Sequence, residues 1–134
     1  MNNELFICAA TQGKKEDTLL WQTRDDTIEV FFKENNTDPL SKVYNKAIDF
    51  AIKENVDHIV LCHDDIILEN FDYDKLKKHF KEYDVLGVAG ASQIKVQEPA
   101  LWHMMGGGFN GGHLHGAVAH LGDTGKKSMT AFGP

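Results

Sequence analysis

The chain has little cysteine, little basic charge and no long apolar run, and each shortage excludes something. Cys8 and Cys62 are the only two cysteines among 134 residues, too few for a disulfide framework or a cysteine-based zinc site. Each ends an apolar, strand-like run, which suits a small buried thiol in a reduced, cytoplasmic protein. Lysine and arginine number 14 against 20 acidic residues, a net charge of -6. Bulk attraction to nucleic acid or to an anionic membrane is therefore not expected, and the charge reads as solubility. No apolar window has the length of a membrane span, and the opening Met-Asn-Asn-Glu lacks the basic start of a signal peptide. Glycine is scarce early and charge is scarce late. Eleven of the twelve glycines lie at Gly87 or beyond, and after Pro99 only Asp123, Lys126 and Lys127 carry charge.

What is present reads as one domain of mixed α/β type, with 42% hydrophobic and 25% charged residues. Glu4 to Ala10 ("ELFICAA") predicts a buried strand, Lys14 to Thr23 a helix, and the β-branched and aromatic Thr27 to Lys33 ("TIEVFFK") a second strand. A turn-rich loop, Glu34 to Pro39, follows. Ser41 is a good N-cap, and Val43, Tyr44, Ala47, Ile48, Ala51 and Ile52 recur at helical spacing behind it. Ile59 to Cys62 predicts a third strand, Tyr73 to Tyr83 a charged helix and Asp84 to Ala91 a fourth strand. This alternation argues for a mostly parallel sheet flanked by helices over residues 1–92, with a glycine- and histidine-rich part over 93–134. In the latter, "HGAVAHL", "GDTGKK" and "SMTAF" read as strand, turn, strand. The end at Phe132-Gly-Pro134, without a closing helix, is expected of a truncated domain or one completed by a second copy, as in a homodimer.

The stretch "HIVLCHDDIILE", His58 to Glu69, sets two adjacent carboxylates between apolar runs. Such sheets gather ligands beyond the carboxyl ends of their strands, which is where His63-Asp64-Asp65 falls. Two acidic side chains there suit a hard divalent cation that is itself bound to phosphate oxygens. The structural alternative makes Asp64 the start of a turn and Asp65 its cap, with His63 packed on its neighbours. His103, His113, His115 and His120 form a second candidate. His113 and His115 alternate and would share a strand face, toward a transition metal or the Asp65 site, or else lie on a polar surface. Trp102 suits stacking on a sugar or base, or a place in the core.

The segment "LSKVYNKAIDFAIKENVDHIVLCHDDIILEN", with "YDVLGVAGAS" after it, resembles the family 2-type glycosyltransferases of the GT-A fold. It is closest to the bacterial glycosyltransferase-like group with a His-Asp-Asp motif. The resemblance implies a nucleotide-sugar-binding domain that moves a sugar from a nucleoside-diphosphate donor, UDP-type, to a glycan or lipid-linked acceptor, with Mn²⁺ or Mg²⁺. It implies Asp65 as the metal-binding carboxylate, Asp64 as its partner toward sugar and ribose, and His63 in place of the motif's first Asp. It also places Ala9, Ala10 and Thr11 along the base, Glu34 or Asn35 at the base after the second strand, and Asn45 near the diphosphate. No residue matches the family's acceptor-side base, and Asp123 sits in a Gly-Asp-Thr-Gly turn. The other readings are a non-catalytic nucleotide-sugar-binding fragment, a metal-assisted phosphohydrolase using Asp64, and a structural protein whose acidic pair is a turn.

Overall fold

The computed structural model describes residues 4–91, 114–122 and 125–132. Trp102, His103, His113, Asp123, the Gly106 to Gly112 run and the side chain of His120 lie outside the described residues. The chain forms two compact units, Met1–Phe71 and Asp72–Pro134.

The first unit is built on a parallel three-stranded sheet of order β2-β1-β3. Its strands are β1 (Leu5–Ala10), β2 (Val30–Lys33) and β3 (His58–Leu61). Cys8 lies opposite Phe31 on one side and Leu61 on the other. The central strand is buried on both faces, and this is why "LFICAA" is a continuous apolar run rather than an alternating one. Ile7 and Ala9 pack on one face with Leu20, Phe32 and Cys62; Phe6 and Cys8 pack on the other with Ala47. Leu20 belongs to α1 (Leu19–Thr23) and Ala47 to α2 (Leu40–Lys53), so each face carries one helix. α2 places Val43, Ala47 and Ala51 on its buried side, the spacing of a helix with a single core-facing stripe.

The second unit carries α3 (Tyr73–His79), capped by Asp72, whose carboxylate accepts the Lys75 N–H at 3.1 Å. Its sheet is antiparallel, of order β4-β5-β6, with β4 (Ala89–Ala91), β5 (Leu114–Leu121) and β6 (Lys127–Phe132). At Gly116, φ is 101° and a Cβ would sit 2.2 Å from the Val88 carbonyl oxygen, so this position admits only glycine. Among the described residues no helix is long and apolar enough to cross a membrane.

α3 ends at His79 rather than at the expected Tyr83, and four other elements depart from expectation, each for a local reason. The helix expected over 14–23 is split: a 3-10 turn (Lys15–Asp17) precedes α1, because Thr18 turns extended and caps α1 through its hydroxyl, which accepts the Trp21 N–H at 3.2 Å. β2 starts at Val30 rather than Thr27, since the Asp25 carboxylate takes both the N–H and the hydroxyl of Thr27 in a turn. α2 begins one residue before Ser41, with Pro39 at the capping position and no side-chain cap. The fourth strand is confined to Ala89–Ala91 and pairs antiparallel with β5, where an extension of the parallel sheet from Asp84 was expected.

Candidate functional site

Parallel strands bring their carboxyl ends to one edge, and in the first unit three loops meet there. They enclose a cleft of about 390 Å³. Ala10, Thr11 and Gln12 line it from the exit of β1, Asn36, Thr37 and Asp38 from the loop after β2, and His63 and Asp64 from the exit of β3. Leu40 closes the rim, so the first turn of α2, the positive end of its dipole, opens on the same space.

The loops are tied to one another through their backbones. Thr11 donates its N–H to the Lys33 carbonyl at 3.0 Å and accepts the Asn36 N–H at 2.8 Å. Asn35, at φ 49°, reaches the Gly13 carbonyl through its N–H. Asn36 then folds its amide over Asp38, accepting that residue's N–H and donating to its carbonyl. The β3 exit is held from both faces. Tyr44 of α2 donates its hydroxyl to the Cys62 carbonyl at 3.0 Å, and Leu20 of α1 donates its N–H to the Asp64 carbonyl at 3.0 Å.

Two carboxylates line the cleft and differ in environment. Asp38 is paired with Lys42 at 2.7 Å and Lys46 at 3.4 Å; the Lys42 hydrogen bond above all holds its carboxyl below the usual 3.8. Asp64 has no ion pair among the described residues. Next to it His63 and Asp65 turn to one side, Nδ1 to Oδ1 3.9 Å, with both side chains mostly exposed. Among the described residues no three His, Cys, Asp or Glu side chains converge into a self-sufficient metal site. His63 and Asp65 offer two donors only, and an ion held there would draw its other ligands from a bound anion and water, the usual habit of Mg²⁺.

The sequence-derived residues divide clearly. Ala10, Thr11, His63 and Asp64 line one cleft, and Asp65 stands beside it, outside the lining. Ala9 has no exposed surface and packs in the core. Glu34 accepts the Lys15 N–H at 2.9 Å, bracing the 3-10 turn. Asn35 and Asn45 are exposed and outside the cleft lining. His115 is exposed on β5 in the second unit. Sequence reasoning missed Gln12, Asn36, Thr37, Asp38 and Leu40. The available signal was the polar "NNTDP" run between β2 and the best helix, a loop that parallel topology sends to the ligand edge.

Cys62, directly before His63, is a closed thiol. Burial, and then proximity to Cys8, pushes it up to about 12. No protein-family model, curated protein or solved structure matches the chain.

Proposed function

We propose that the first unit is the donor-binding part of a GT-A-type glycosyltransferase, similar to the family 2 enzymes. It takes a nucleoside-diphosphate sugar, UDP-type, together with Mn²⁺ or Mg²⁺, and the sugar passes to a glycan or lipid-linked acceptor. One observation carries the reading: the β1 exit and the His63-Asp64 exit of β3 face a single cleft at the carboxyl edge of a parallel sheet. The nucleoside lies along Ala10, Thr11 and the Asn36 to Asp38 loop. The diphosphate approaches the first turn of α2, whose dipole favours an anion. Asp64 alone would repel that anion, so a cation held beside it by Asp65 and His63 is the natural complement, and when bound it would neutralise charge on the departing diphosphate.

A second reading has a specific observation behind it. Asp38 and Asp64 are the only carboxylates lining the cleft among the described residues. Asp38 is ion-paired and Asp64 is assigned to the donor, which leaves neither to deprotonate an acceptor hydroxyl. That arrangement suits a domain that binds nucleotide sugars without turning them over.

Thermal unfolding of the full chain with UDP, GDP or CMP, with and without Mn²⁺, tests the donor reading. A ligand at a hundredfold its Kd adds about 2.7 kcal/mol of stability, several degrees for a chain of this size. A metal-dependent rise with one nucleotide is expected; no rise with any would reject it. Release of UDP from a UDP-sugar separates the transferase from the binding domain.

A further inference from the structure

The first unit holds a second concavity, on the α2 face of the sheet, that the donor reading does not use. It is a groove of about 420 Å³ between β2, the edge strand, and α2. Its floor is apolar: Phe6, Cys8, Phe31, Ala47 and Phe50 line it. The Phe6 ring lies 5.9 Å from that of Phe31 and 5.2 Å from that of Phe50. Phe31 remains 53% exposed, so the floor is open to a ligand.

The groove is polarised along its length, and the register shows the direction. Lys33 pairs with Ala10 at the carboxyl end of the sheet, Phe31 pairs with Cys8, and Phe6 lies further toward the amino end. α2 starts at the carboxyl end, where Lys46 pairs with Asp38, and further along it Phe50 packs on Phe6. The charged groups therefore lie toward one end, with Phe31 about 7 Å and Phe6 about 13 Å from the Lys33 level at about 3.3 Å per strand residue. The volume falls among those of ordinary small-molecule sites. Lys46 is shared with Asp38, whereas the Lys33 ammonium has no ion pair among the described residues. Asp38 is matched by Lys42 and Lys46, so Lys33 is the one lining ammonium left without an ion pair among the described residues, a partner for a single carboxylate head group.

We infer that this groove binds a single-chain alkyl carboxylate, head group at Lys33 and hydrocarbon chain along Phe31, Phe6 and Phe50. Asp38 forms a wall of both the groove and the cleft, so the two sites share one ion-paired side chain without sharing a ligand.

Calorimetric titration of the full chain with hexanoate, octanoate and decanoate, and with decanol, tests the assignment. Affinity should rise by up to about fourfold per added methylene. Lys33→Gln should weaken decanoate by about fivefold and leave decanol unchanged. Phe31→Glu sets a carboxylate in the path of the chain at an exposed position and should abolish binding, while circular dichroism shows the fold retained. No binding by any member, affinity indifferent to chain length, or decanol binding as tightly as decanoate would each overturn the proposal. So would a concentration-dependent dimer that Phe31→Glu dissolves, since the face would then be a contact between copies.

Discussion

Asp38 does two jobs with one carboxylate. It anchors the first two turns of α2 through Lys42 and Lys46, and it lines the cleft. Its folded-state pKa is depressed, so its contribution to stability is present above the ordinary 3.8 and is lost as pH falls through the lower folded value. Asp38→Asn should lower the melting temperature at pH 7 and flatten the loss of stability below pH 3.8, read from melts across the acid range. The thiols have the opposite sign. Burial raises Cys8 and Cys62 above their ordinary 9.0, so stability is full below pH 9 and declines as pH rises above it. Both should resist iodoacetamide at pH 8 in the native protein and react readily in urea. Tyr44→Phe removes the hydroxyl that pairs with the Cys62 carbonyl and should cost about 1 kcal/mol in urea unfolding. At this scale the sequence spoke unevenly. The place of His63 and Asp64 at the cleft was legible because both follow the carboxyl end of a parallel strand; Asp64 and Asp65 also form a turn there, the structural alternative. Asp38 was not, because its place in the cleft depends on β1 pairing with β2, a contact between distant parts of the chain.

At the scale of elements, β1 and α2 were readable because their patterns leave one choice. A six-residue apolar run buried on both faces makes a central strand, and a single apolar stripe of period 3.6 makes a helix. α1 and the start of β2 were misjudged where one polar side chain captured backbone N–H groups, Thr18 in one case and Asp25 in the other. Thr18→Ala should therefore cost about 1 kcal/mol and loosen α1, seen as faster amide exchange over Leu19–Thr23. The β4 direction was not legible at all, since parallel and antiparallel strands of this length share a pattern. Gly116→Ala should separate β4 from β5, read as faster exchange of the Ala89–Ala91 amides.

For the whole molecule, a parallel sheet and an antiparallel sheet each organise one unit, and the functional proposals rest on the first. A net charge of -6 sets the overall field against anionic ligands. Any nucleotide affinity must then come from local devices: the α2 first turn, the ordered loops and, on the proposed reading, a cation beside Asp64 at His63 and Asp65. The most direct test is calorimetric titration of UDP into the full chain with and without Mn²⁺, repeated with Asp65→Ala. Binding that needs Mn²⁺ and falls at least tenfold in Asp65→Ala is the predicted result. Absence of binding, or binding indifferent to both metal and substitution, would contradict the donor-site account.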